Sequence, residues 1–317
     1  MSLVPYELLC PWTEEERKQA LSMIEILEHA ERNPILKGKL EPRFDYDNLE
    51  ENNVLLMVID LQNDFMEPNG SLAVPGSRGD AMRLTRFIYD NLPKIDTIIT
   101  SLDLHSPLQI FHPLWWSDKE GKQPPPFTII TYDEVKEGLW KPIDGTEEQS
   151  LRYLYHLQQW QRPPLCIWPY HCLEGTYGAD FEPNFARIMH YHAALRRKQP
   201  FMIRKGQNPF SEMYGIIKHE DYTLAPDPPI IEDVMQQMIM HNEIYIAGEA
   251  ASHCLKHSCQ QIVELFRNSP LILQSIHILT DCTSIIPGFE QSTYDALNEL
   301  RDVHGFKLVQ SSDIVLN

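Results

Sequence analysis

The sequence predicts a doubly wound α/β fold, with a mostly parallel sheet and helices on both faces. Three observations carry this. Apolar runs of strand length alternate with helical patterns, the runs are apolar nearly throughout, and chemically reactive residues stand where the runs end. Continuously apolar strands belong to a sheet buried on both faces, and the alternating helices supply the crossovers that parallel strands need.

Taken in order, "TEEERKQALSMIEILEHAERN" (13–33) opens on a capping-box pattern, Thr13 with Glu16, and predicts one amphipathic helix. It belongs to an N-terminal extension, residues 1–52, that reads as a solvated flank or an oligomer contact, and a homo-oligomer is expected. The turn-rich "PILKGKLEPRFDYDNLEENN" follows. Strands are expected at "VLLMVIDLQ" (54–62), "DTIITSLDL" (96–104), "LCIWPY" (165–170), "FMIR" (201–204), "EIYIAG" (243–248), "SIHILTD" (275–281) and "KLVQS" (307–311). Helices are expected over 79–92, 184–198, 252–268 and 292–305. Residues 113–164 break the alternation with "PLWWSDKEGKQPPPF" and a helix that Thr146 and Gln149 would cap. This reads as an insertion within one domain, 53–317. It would be an ordered flap that either roofs the active site or builds a subunit interface.

The 317 residues are 43% hydrophobic, enough for a sizeable core. No stretch approaches the roughly eighteen apolar residues of a membrane span, and the opening residues lack the order of a signal peptide, so a cytoplasmic protein is expected. A net charge of −18 argues against nucleic acid and anionic lipid as partners. Six cysteines spread over so long a chain read as thiols.

The strand ends collect Asp60, Asp103, His105, His171 and Lys205, and the fifth strand runs into "AGEAASHCLKHSC" (247–259). Ligands bind beyond the carboxyl ends of such strands. Cys254 falls at the start of a helix, where unpaired N–H groups favour an anion. Asp60 can take a thiol proton and Lys205 can steady the thiolate. His253 is poorly placed to serve as the base, because adjacent helical residues point apart. His253 and His257 share a helix face but lack a nearby third ligand, and Cys259 reads as a packed thiol.

These motifs, "VIDLQNDF" (58–65), "LDLH" (102–105), "WPYHCLEGTYGADF" (168–181), "KGQNPFSEMY" (205–214) and "GEAASHCL" (248–255), resemble in order those of the isochorismatase-like cysteine hydrolases, and within them the nicotinamidases. The resemblance implies Asp60, Lys205 and Cys254 as the catalytic triad and a divalent transition metal on Asp103, His105 and His171. Zinc comes ahead of iron or manganese. His112 stands equally as a further ligand or a buried structural histidine. The resemblance also implies a cis peptide, read as Ala250–Ala251, and an oxyanion hole from the N–H groups of Ala251 and Cys254. Phe65 and Trp168, with Tyr214 as a weaker candidate, would wall a pocket for a flat pyridine ring.

The implied activity is hydrolysis of a small amide, nicotinamide first, through a Cys254 thioester. Hydrolysis of another amide, carbamoyl or ureido compound by the same triad is the alternative, and a non-catalytic binding protein on this fold ranks below both. The insertion and the extension depart from compact nicotinamidases.

Overall fold

A computed structural model describes residues 3–35, 53–224, 231–314 and 316. Six strands, β1 (Val54–Ile59), β2 (Ile95–Asp103), β3 (Phe201–Lys205), β4 (Glu243–Gly248), β5 (Ile276–Leu279) and β6 (Lys307–Val309), form one sheet in the order 3-2-1-4-5-6. Every pairing is parallel. The chain begins in the middle, adds β2 and β3 on one side, then crosses to place β4 on the other side of β1. The direction of winding reverses between β1 and β4, the place where sheets of this kind bind ligands beyond the carboxyl ends of their strands.

β1 is buried throughout and serves two cores. Val54, Leu56 and Val58 face one core, with Leu84, Ile88, Ile188 and Leu195 from helices Ser77–Asp90 and Pro183–Arg196. Leu55, Met57 and Ile59 face the other, with Val234, Met238, Ile262, Phe266 and Leu297 from helices Ile231–Met240, Lys256–Phe266 and Glu290–Asp302. Each such side chain contributes roughly 1.5–3 kcal/mol on burial, so a one-residue slip of β1 would be costly.

Three expectations need correction. The N-terminal segment forms two helices, Glu14–Gln19 and Met23–Arg32, because Ala20 is extended and Ser22 starts a second capping box with Glu25. Most of the turn-rich stretch after it, residues 36–52, lies outside the described residues. "LCIWPY" is not a strand of the main sheet. Pro163, Pro164 and Pro169 withhold N–H groups, and only Leu165–Cys166 pair, antiparallel, with Ile129–Ile130 of the insertion. Thr146 does not cap its helix through its side chain, because its hydroxyl donates to the Ile143 carbonyl at 2.7 Å.

The insertion is packed into the body. Trp115, Trp116, Ile130, Tyr153, Leu154 and Leu157 are all buried in the first core.

Candidate active site

Asp60, Asp103 and Lys205 arrive from the ends of adjacent strands. Asp60 directly follows β1 with a left-handed φ of +44°, a conformation Asp tolerates better than most residues, while Asp103 and Lys205 close β2 and β3. The Lys205 ammonium lies 2.9 Å from Asp60 Oδ2, 3.1 Å from Asp103 Oδ1 and 3.7 Å from Cys254 Sγ, and donates to the Met213 carbonyl at 3.1 Å. Acceptor atoms of Asp60, Asp103 and Cys254 lie within 4.8 Å of one another.

The Ser101 hydroxyl sets the orientation of Asp60. It accepts the Asp60 N–H at 3.0 Å and donates its one proton to Asp60 Oδ1 at 2.6 Å, which leaves Oδ2 for the lysine and the thiol.

The electrostatics follow from burial. Burial pushes the Cys254 thiol well above its ordinary value, and Lys205 offsets only part of that. Burial likewise raises the Asp60 carboxyl, against the pull of Lys205. It works against the ammonium too, yet Asp103 and Asp60 outweigh it and hold Lys205 charged. Burial thus favours the neutral thiol, while the two aspartates favour the charged form of the lysine.

Asp103, His105 and His171 present ligand atoms within 4.8 Å of one another. His171 comes from the loop after Trp168 and not from a sheet strand, and the His105 N–H secures that loop by donating to Cys172 O at 2.9 Å. Nδ1 of His105, His171 and His112 faces the carbonyl oxygens of Gly206, Pro169 and Ser106 at 3.0, 2.8 and 2.9 Å. A carbonyl only accepts, so each Nδ1 is the donor and each Nε2 is the ring nitrogen that could serve as a ligand.

His105 Nε2 lies 3.1 Å from Asp103 Oδ2, and Asp103 raises its pKa against the effect of burial. Burial takes His171 down to about 3 and His112 to about 4, leaving both neutral. His112 Nε2 is buried with no hydrogen-bond partner among the described residues, and its ring centroid is 5.7 Å from that of His105 and 6.2 Å from that of His171. A carboxylate, two converging imidazoles and an orphaned third nitrogen fit a divalent transition ion. Gly206, with φ of +77°, is the one residue type that fits beside this group, since a Cβ there would overlap Asp103 Oδ1 and His105 Cε1.

The turn that carries Cys254 departs from expectation in two details. The cis peptide is Glu249–Ala250, one residue earlier than expected. The Ala251 N–H donates to the Ser284 carbonyl at 2.8 Å and is not available to an oxyanion, whereas the Ala250 N–H has no partner among the described residues. Cys254 lies in a π-helical turn, Ala251–Leu255, that leads into helix Lys256–Phe266.

Of the pocket candidates, Phe65 stands edge-on to His171 at 5.6 Å, and the Trp168 indole donates to the Tyr214 hydroxyl at 3.3 Å. His253, which sequence placed only by exclusion, packs against Trp168, Tyr214 and Phe289. Phe127 of the insertion meets Trp168 edge-on at 5.9 Å. Among the described residues, His253 and His257 do not form a ligand group, and all six cysteines are free and buried.

Sequence reading missed Ser101, Gly206, Glu212 and Glu220. Their roles come from contacts across long sequence separations. Burial pushes both glutamates up to about 7. A carboxyl raised in the folded state adds stability below its unfolded pKa and loses it as pH rises through the folded value. The melting temperature is therefore expected to fall between about pH 5 and 8, and to fall less in Glu220→Gln, as thermal melts across that range will measure.

No family model matches the chain. In sequence it is 23% identical over 234 residues to the nicotinamidase of Saccharomyces cerevisiae, spanning 73% of this chain and 91% of that protein. In structure it resembles the yeast nicotinamidase bound to the inhibitor nicotinaldehyde, with a TM-score of 0.57 and 20% identity over 81% of this chain and 99% of the other. The nicotinamidase/pyrazinamidase of Acinetobacter baumanii gives 0.54 and 20% over 84% and 100%. The chain thus has the isochorismatase-like α/β hydrolase fold, as its motifs led one to expect. Within that fold, its similarity to nicotinamidases extends over most of its length.

Proposed function

We propose that this protein is a metal-dependent cysteine amidohydrolase whose substrate is nicotinamide. The observation that carries the reading is the meeting of Cys254, Lys205 and Asp60 beside the Asp103, His105 and His171 group. The similarity to nicotinamidases supports the choice of substrate.

The Cys254 proton passes to Asp60 Oδ2 while Lys205 steadies the thiolate. Sulfur then bonds to the carboxamide carbon, and the carbonyl electron pair moves onto oxygen. The Ala250 and Cys254 N–H groups donate to that oxygen and stabilise its charge, with Ala250 in the role first read for Ala251. As the intermediate collapses the C–N bond breaks and Asp60 returns its proton to the departing ammonia. Asp60 next deprotonates a water, which attacks the thioester and releases nicotinate and the thiol. Phe65, Trp168 and Tyr214 frame the ring. Asp103, His105 and His171, with His112 as a further donor, would hold a divalent ion, zinc first, which offers a Lewis-acidic position for the pyridine nitrogen or its water.

The test is ammonia release from nicotinamide and from carbamoyl and ureido compounds, with metal content measured on the same sample. About one transition-metal ion per chain is expected, with nicotinamide the fastest substrate. His171→Ala should lower ion occupancy about tenfold or more and remove turnover, while Cys254 still reacts with an alkylating reagent. Full nicotinamide turnover in metal-free protein would overturn the metal assignment, and faster turnover of a ureido compound would overturn the substrate.

A further inference from the structure

The segment after β3, residues 206–224, contains no helix or strand, yet it carries the Met213 carbonyl that accepts from Lys205 and the ring of Tyr214. So long an irregular loop needs outside support to hold a catalytic group in place. The insertion supplies it. Trp115 meets Phe210 edge-on at 5.4 Å, His156 Nδ1 lies 2.7 Å from Asp221 Oδ2, and Trp160 stacks on Tyr222 at 5.0 Å. At the centre, three contacts run in series. The Tyr153 hydroxyl accepts the Glu212 N–H at 3.2 Å, Glu212 Oε1 accepts the Met213 N–H at 2.9 Å, and Met213 O accepts from Lys205 Nζ at 3.1 Å.

We infer that helix Glu147–Gln159 of the insertion is the positioning element for the catalytic lysine, acting through Tyr153, Glu212 and the Met213 peptide. The insertion then serves the chemistry itself and is not a removable flap. Tyr153 and Glu212 are positioning residues, since neither touches the reacting atoms. This inference rests on the proposed role of Lys205.

The test uses the full-length, metal-loaded protein and two readouts, steady-state kinetics and the rate of Cys254 alkylation at neutral pH. Tyr153→Phe keeps the ring and removes the acceptor, so kcat and the alkylation rate should each fall roughly three- to tenfold with KM within about twofold. Glu212→Ala should fall further, and Glu212→Gln, whose carbonyl oxygen still accepts the Met213 N–H, should recover most of the loss. Tyr155→Phe, on the same helix but exposed, should match the parent. Parent values of kcat and alkylation rate in both Tyr153→Phe and Glu212→Ala would overturn the inference, as would a Glu212→Gln variant as impaired as Glu212→Ala. Lys205→Met, run alongside, separates the two ideas. If it leaves alkylation unchanged, the role of the lysine fails. If it slows alkylation while the Tyr153 and Glu212 variants do not, only the positioning element fails.

Discussion

Cys254→Ala is expected to lower amide turnover by at least about a thousandfold, because the thioester route loses the atom that forms the bond. Cys259→Ala should stay near the parent rate. Its sulfur is fully buried in the second core, and burial pushes its thiol up to about 12, so it is inert at neutral pH and its loss costs only about 1 kcal/mol of stability. Mass spectrometry of protein quenched during turnover should find the acyl adduct on Cys254. Equal losses of activity in the two variants, or an adduct on another cysteine, would refute the assignment.

The second large effect belongs to the buried ion pair. Lys205→Met keeps most of the stem, and Asp60→Asn keeps the shape, yet each should lower kcat by about 10²- to 10⁴-fold. Their stabilities should differ. Lys205 lies between Asp60 and Asp103 with none of its side chain exposed, so its removal leaves two buried carboxyls facing each other, at a cost of about 3–5 kcal/mol. Without the cation both carboxyls titrate higher. The Lys205→Met protein should then lose stability as pH rises above the ordinary carboxylate range, more steeply than the parent. Denaturant melts at pH 5 and pH 8 will read this, and a variant as stable as the parent at both would show that the lysine does not hold the pair.

The sheet was legible because its signal is local. A run such as "VLLMVI" can be read within one window, and its first polar residue marks the strand end where Asp60 stands. Asp103, Lys205 and Cys254 were legible for the same reason, and the structure brings them together. What the sequence hid depends on partners far along the chain. "LCIWPY" has the apolar character of a sheet strand, but its backbone bonds go to the insertion and to the loop just before it, with the Ile167 N–H on Thr128 O and the Trp168 N–H on Phe111 O. The Ala251 amide belongs to Ser284, a residue no local reading would connect to it. The extension breaks into two helices where a second capping box, Ser22 with Glu25, competes with continuous periodicity. Ser101 looked like one more strand residue until the sheet set it against Asp60.

Asp103 gives one oxygen to each half of the site, Oδ1 to Lys205 and Oδ2 to His105. A lineage descending from this chain could not discard the proposed ion by changing that residue alone, for the lysine would lose a counter-charge in the same step. The histidines carry no such double duty and are the positions at which metal dependence could drift away first. Among relatives that work without an ion, an aspartate at this place beside vanished histidines would be the trace of that order of loss.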